Sequence, residues 1–348
     1  MIFAASLVAA SLVGAVVVGV GDVDGDATVV GVADGALRAR CTVNHGRGMV
    51  PKGAVVDDDR VVLAVADDKG GRGGRGARVV LLDLRTCAER ELFDEAIANQ
   101  APRVVTDAAG HTVVYAVREI DPQPEGARFE IVKADVDAAP AGPVVVTARD
   151  ALWVSIAQGA QRERDLVFLV GEGAHSGAEP DGAFHVDVVD AAANLAVLHP
   201  LGRGTFKDVV VVDDAVVVEE IRGAVRGVRL FEKGAERFVP LGMAAAPYGA
   251  RGHLYTSNGK KDGGILASGV ALPAARVGIA RPVAVDVDAV VVDVDRGALL
   301  PRELWTLPLW RSPREPARLL VPKARTAVEV YGVTSSSPPP AKRLQGVR

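Results

Sequence analysis

The chain has 348 residues with 40 basic and 44 acidic side chains, a formal charge of −4, and neither half gathers a basic stripe of the kind that neutralises phosphates. Nucleic-acid binding is thereby disfavoured. The hydrophobic fraction of 49% supplies a large core, but only 4% of residues are aromatic, so Val, Leu and Ala must fill it.

Residues 1–21 read as an apolar leader, because no charge interrupts the run until Asp22. A secretory signal peptide, with Gly19 or Gly21 near its cleavage point, or an uncleaved membrane anchor both fit, although the n-region lacks Lys or Arg. A buried strand is the third reading. The next residues, Asp22, Asp24 and Asp26, alternate oxygen ligands as a calcium loop does. A solvated linker explains the same residues, and no Glu stands at the position that would close an EF-hand.

Ala27–Ala33 and Ala36–Val43 are strand-like runs joined by Asp34-Gly35, the pair that a type I′ hairpin turn requires. Cys41 and Cys87 suit an oxidising compartment. Strand counting, at roughly 3.3 Å per residue, separates them by about 15 Å. That exceeds the ~7 Å that a bridge can span between Cα atoms, so two buried thiols are expected in place of a disulfide.

Val-rich runs then recur with turn residues between them, and no helical stripe lasts three turns. Asp94–Gln100 is the one short stretch that could be helical. Six second strands align, beginning at Arg60, His111, Asp165, Ala215, His253 and Ala289, with steps of 51, 54, 50, 38 and 36 residues. Inner strands precede them, as at Arg103-Val-Val-Thr, and third and outer strands follow. Each small sheet has two apolar faces and can cover both only by stacking between neighbours. The expected fold is therefore all-β: a β-propeller of four-stranded blades over 27–334. The hairpin at Ala27 and the strand Thr326–Val333 share the closing blade. The count is six if those ends complete the sixth repeat and seven if they form a blade of their own. Residues 335–348, with Ser-Ser-Ser-Pro-Pro-Pro, lack apolar periodicity and are expected to be disordered.

The repeats resemble the WD40-like repeat of TolB-like propellers. Thr106-Asp107-Ala108-Ala109-Gly110-His111-Thr-Val-Val-Tyr115 keeps that repeat's turn glycine and aromatic. Leu254-Tyr255-Thr256-Ser257-Asn258 with Gly263-Gly264-Ile265, and Glu303-Leu304-Trp305-Thr306-Leu307, look like its later part. The resemblance implies a periplasmic or surface scaffold that binds proteins or envelope components.

No catalytic set stands out. Asp57-Asp58-Asp59, Asp67-Asp68, Asp213-Asp214 and Asp286, Asp288, Asp293, Asp295 fall where the chain turns, and Asp there caps local backbone N–H groups. His45, His111, His175, His185, His199 and His253 are scattered without metal-ligand spacing. Lys69–Gly76 is rich in Arg and Gly but has no aromatic partner for stacking RNA. Ser155, Ser176, Ser257 and Ser268 lack a Gly-x-Ser-x-Gly elbow. The expected function is an exported, monomeric, non-catalytic propeller that binds a protein or cell-envelope partner, with no cofactor implied. The alternatives are a propeller hydrolase or lyase with its site in the axial channel, and a calcium-dependent surface module using Asp22, Asp24 and Asp26.

Overall fold

The computed structural model describes residues 15–334 except 47–49, 67–75, 124–125, 139–141, 152, 160–165, 172–183, 190–196, 214, 233–234, 243–245, 277, 298–299, 301, 311–314 and 324. The described residues are strands and turns throughout. Strands β1 (Val16–Asp22), β2 (Ala27–Ala33) and β3 (Leu37–Asn44) form a closing blade with the last strand, β28 (Thr326–Val333), in the order β28-β1-β2-β3.

The second blade is β4 (Lys52–Val55), β5 (Arg60–Ala66), β6 (Ala77–Asp83) and β7 (Glu89–Ala96). The third is β8 (Arg103–Thr106), β9 (Thr112–Gln123), β10 (Gly126–Asp135) and β11 (Val144–Ala151). These two meanders fuse into one eight-stranded sheet through the pair Ala96 and Arg118. The fourth blade contains β12 (Trp153–Ile156), β13 (Val167–Gly171), β14 (Phe184–Val189) and β15 (Val197–Gly204). The fifth has β16 (Phe206–Val212), β17 (Ala215–Arg222), β18 (Val225–Glu232) and β19 (Ala235–Gly242). The sixth is much shorter: β20 (Tyr248–Ala250), β21 (His253–Ser257), β22 (Ile265–Ala267) and β23 (Val270–Ala271). The seventh is β24 (Ile279–Val285), β25 (Ala289–Asp295), β26 (Glu303–Pro308) and β27 (Ala317–Leu320).

The period-two alternation of strand side chains explains why these sheets stack. In β5, Val61, Leu63 and Val65 pack toward the closing blade, while Val62, Ala64 and Ala66 pack toward the third. In β9, Val114 and Ala116 join the second blade's cluster, and Val113, Tyr115 and Val117 join the fourth's. Both faces are apolar, so each central strand is buried on both sides. The architecture is the expected all-β propeller.

The ring closes where β28 pairs with β1, from Val333 opposite Val16 to Thr326 opposite Asp22. A bulge between Val17 and Val18 shifts the register, and Gly332 opposite Val17 takes a φ of 146°, a conformation a side chain would strain. Tyr331 lies across Gly19, where an added Cβ would meet its hydroxyl oxygen at 2.0 Å. The propeller therefore begins at Val16 and not at Ala27. A strand is the part of the leader that the eye misses, because a run buried on both sides carries no alternation to separate it from an h-region. Cleavage at Gly19 or Gly21 would cut β1. Residues 1–14, the tail 335–348, most of the Arg/Gly loop, Asp67-Asp68, His175 and Ser176 lie outside the described residues.

Two further expectations are corrected. Cys41 and Cys87 form a disulfide with Cα atoms 5.4 Å apart. Counting residues along straight strands overlooked the bulge between Val30 and Gly31 in the β2–β3 pairing, which re-aims β3, and the left-handed φ of 59° at Cys87 in the β6–β7 turn. Together they bring a strand of the closing blade against a turn of the second. Asp94–Gln100 is not helical: Asp94, Glu95 and Ala96 finish β7, and Gln100 donates its amide to the Ile97 carbonyl in a turn.

Candidate functional site: the axial channel

Each meander restarts at the axis, so β4, β8, β12, β16, β20, β24 and β28 are the inner strands that surround the channel. A cavity of about 380 Å³ opens there, lined by Gly53, Arg103, Gln158, Tyr248, Val283 and Glu329 among others. Backbone links fix the inner strands to one another: Gln158 donates to the Val209 carbonyl at 3.0 Å and accepts from the Val211 amide at 2.8 Å.

Charged residues interrupt these otherwise apolar strands. Lys52 opens β4, and its ammonium donates to Glu329 Oε2 of β28 at 2.6 Å. Burial raises the Glu329 carboxyl above its ordinary range, the Lys52 charge and hydrogen bond oppose that, and Asp293 adds to it. Arg103 opens β8 and donates from Nε and Nη2 to the Ile156 carbonyl of β12, each at 3.2 Å. Burial lowers its guanidinium to about 10, despite the favourable fields of Tyr248, Asp208 and Glu329. Asp208 of β16 is raised chiefly by desolvation, against the fields of Arg103, Lys207 and Arg281. Burial also raises Tyr248. Asp293 is raised by burial while pairing with Arg302 at 2.7 Å. Such a collection can bind an ionised ligand and exchange protons with it.

Of these residues the sequence singles out only Asp293, and reads it as a turn carboxylate. The available signal was a charge opening or interrupting an apolar inner strand, as at Lys52, Arg103, Lys207-Asp208 and Arg281.

The other residues singled out from sequence lie elsewhere. Asp22 ends β1, its carbonyl accepts from the Gly25 amide at 2.9 Å, and Asp24 pairs with Arg325. Among the described residues no group of three or more His, Cys, Asp or Glu is arranged to hold a metal ion. Asp57 and Asp286 sit in turns: Asp57 accepts from the Asp59 amide at 3.1 Å and from Arg60 Nε at 2.7 Å, and Asp286 accepts from the Val287 amide at 2.7 Å. Asp293 and Asp295 do not follow that reading, since both lie within β25. His45 is buried between Thr28 Oγ1 and the Gly46 carbonyl, both at 2.7 Å, whereas His111 sits in the β8–β9 turn, 3.4 Å from Asp107. His253 stands beside Trp310, their ring centroids 5.4 Å apart. His185 and His199 fall in β14 and β15. These histidines are not brought together at the axis. Ser257 is buried, and its hydroxyl accepts from the Gly259 amide.

No protein-family model matches the sequence, and no match is found among curated proteins. Solved structures do share the fold. One is a puromycin-hydrolysing peptidase of Mycobacterium tuberculosis, at 16% identity and a TM-score of 0.53 over 90% of this chain and 55% of that one. A second is an acylaminoacyl peptidase of Pyrococcus horikoshii, at 12% identity and a TM-score of 0.52 over 84% of this chain and 47% of that one. The chain thus spans about half the length of these peptidases. A third is the β-propeller domain of the Trilobed protease from Pyrococcus furiosus, at 14% identity and a TM-score of 0.51 over 89% and 96%. That domain is described as having an open velcro topology; here β28 pairs with β1 and joins the two ends.

At these identities the likeness speaks to the fold. It also corrects one expectation. The propellers that this chain resembles belong to peptidases, which contradicts the expected reading of a non-catalytic scaffold for an envelope partner.

Proposed function

We propose that the chain is the propeller of a hydrolase or lyase and that its working site is the axial channel. The observation that carries this is the pairing of Glu329 with Lys52 at 2.6 Å beside a cavity of about 380 Å³, with the carboxyl raised by burial. A carboxyl kept neutral toward higher pH can act as a general acid, and the adjacent ammonium orients it and stabilises the carboxylate left after proton transfer. Arg103 and Tyr248 would bind and orient the substrate. The chain offers no serine elbow, so proton transfer is the chemistry that its own residues support.

The Cys41–Cys87 disulfide supports a site of action outside the reducing cytosol, in the periplasm or beyond the cell.

The test is turnover on a panel of peptides and acidic oligosaccharides, followed by mass spectrometry of the products. Glu329→Gln should lower kcat by about 10²–10⁴-fold and remove the alkaline limb of the rate profile, because an acid works only while protonated. Turnover that is unchanged in Glu329→Gln, or absent across the panel, would overturn the reading.

A further inference from the structure

We infer that Arg103 is the carboxylate-binding residue of the axial channel and that the substrate carries a singly charged acidic group. This assignment rests on the channel being the working site, and it adds the substrate class.

The geometry has three parts. First, Arg103 stands at the start of β8, yet its side chain reaches the fourth blade, where Nε and Nη2 share the Ile156 carbonyl at 3.2 Å each. That fixes the guanidinium plane while occupying few of its five N–H donors. Second, among the described residues no carboxylate lies within ion-pair distance of Arg103, although the residue lines the cavity. A guanidinium withdrawn from water without a counter-charge is costly, and its lowered pKa of about 10 reports the same imbalance. Third, Tyr248 and Glu329 line the same cavity, and the fields of Tyr248, Asp208 and Glu329 reach Arg103.

A ligand carboxylate would meet the free edge of the guanidinium with two parallel hydrogen bonds, supplying the missing charge. The acidic neighbour Asp208 favours a low charge on the ligand. Its field already reaches Arg103, so it would repel the second charge of a phosphate more than the single charge of a carboxylate. The cavity is large enough for a small ligand or the end of a longer one.

A carboxylate can come from the end of a peptide or from a uronic acid, and calorimetric titration of the full chain distinguishes them. The probes are N-acetyl-alanyl-alanine and its amide, a uronic acid disaccharide and its methyl ester, and inorganic phosphate. One of the two acids should bind at least about tenfold more tightly than its neutral counterpart. Arg103→Gln should remove that preference while leaving the neutral compound's affinity unchanged, a result that mere distortion of the channel would not give. Arg103→Lys, which retains the charge but not the fork, should lose about tenfold and serves if the glutamine variant melts early.

Equal binding of acid and neutral forms, or tighter binding of phosphate than of either acid, would overturn the assignment. The channel would still stand as the working site if Glu329→Gln altered turnover. Failure of every probe to bind a normally melting protein, together with absent turnover, would remove both.

Discussion

The seam between the second and third blades and the seam between the fifth and sixth are built from the same Val-rich strands, yet they pack differently. At the first, Val62, Ala64, Val79, Leu81 and Phe93 interlock with Val114, Ala116 and Val132, and all are buried. Polar contacts reinforce it: Arg60 Nη1 donates to Asp137 at 2.6 Å, and Arg90 donates to the Val136 and Ala138 carbonyls. At the second seam, among the described residues, only Val210, Val217 and Val228 form a buried cluster, and a cavity of about 650 Å³ adjoins it.

Strand length accounts for the difference. The sixth blade's β22 and β23 have three and two residues, and Tyr255, Ile265 and Ala267 face the seventh blade. Leu254 and Leu266 are left to meet the long fifth blade. With few aromatic residues to bridge the gap, a short sheet cannot cover a long one.

The contrast can be broken first by truncation. Phe93→Ala should cost about 3–5 kcal/mol in denaturant unfolding, whereas Leu254→Ala beside the cavity should cost less than about 2 kcal/mol. Equal losses would erase the distinction. Next, the disulfide ties the closing blade to the second across a separation of 46 residues. Replacing both cysteines with serine should remove about 2–4 kcal/mol and abolish the effect of reductant on melting. An unchanged melting temperature would show that the bridge does not hold this seam.

Filling sharpens the comparison from the other side. Val217→Leu should stabilise the loose seam by about 0.5–1.5 kcal/mol, while Val114→Leu at the full one should destabilise by about 1–3 kcal/mol. The same sign at both sites would contradict the packing difference. The smallest effect is expected at the inner edge of the fifth blade. A raised carboxyl pKa means that the folded state binds the proton more readily, so its stabilising contribution is complete below the ordinary carboxylate range and is lost as pH rises through the folded value. Asp208→Asn should therefore melt slightly above the parent at about pH 7, with the gap closing toward about pH 3. A lower melting temperature would show that Arg103, Lys207 and Arg281 outweigh burial.

Much of the fold was legible because the hydrophobic repeat is local. The second strands expected at Arg60, Ala215, His253 and Ala289 begin at those residues, and the Asp34-Gly35 turn joins β2 to β3. β1 was read as a leader because an uninterrupted apolar run has no period to betray a strand. The disulfide was missed because a bulge and one left-handed residue are invisible to counting along strands. The channel was hidden for a different reason: Lys52 and Glu329 are 277 positions apart, and only ring closure makes them neighbours. A single charge at the start of a strand reads as a boundary until the axis is known.

The charged cavity at the axis thus competes for a ligand with the apolar one at the loose seam. Hydrogen exchange with and without N-acetyl-alanyl-alanine or the uronic acid disaccharide, whichever binds, decides between them most directly. The expected result is slowed exchange in β4, β8 and β28 around Arg103 and Glu329, with β18, β21 and β22 unaffected. Protection confined to those last three strands, with none at the axis, would contradict the channel as the working site.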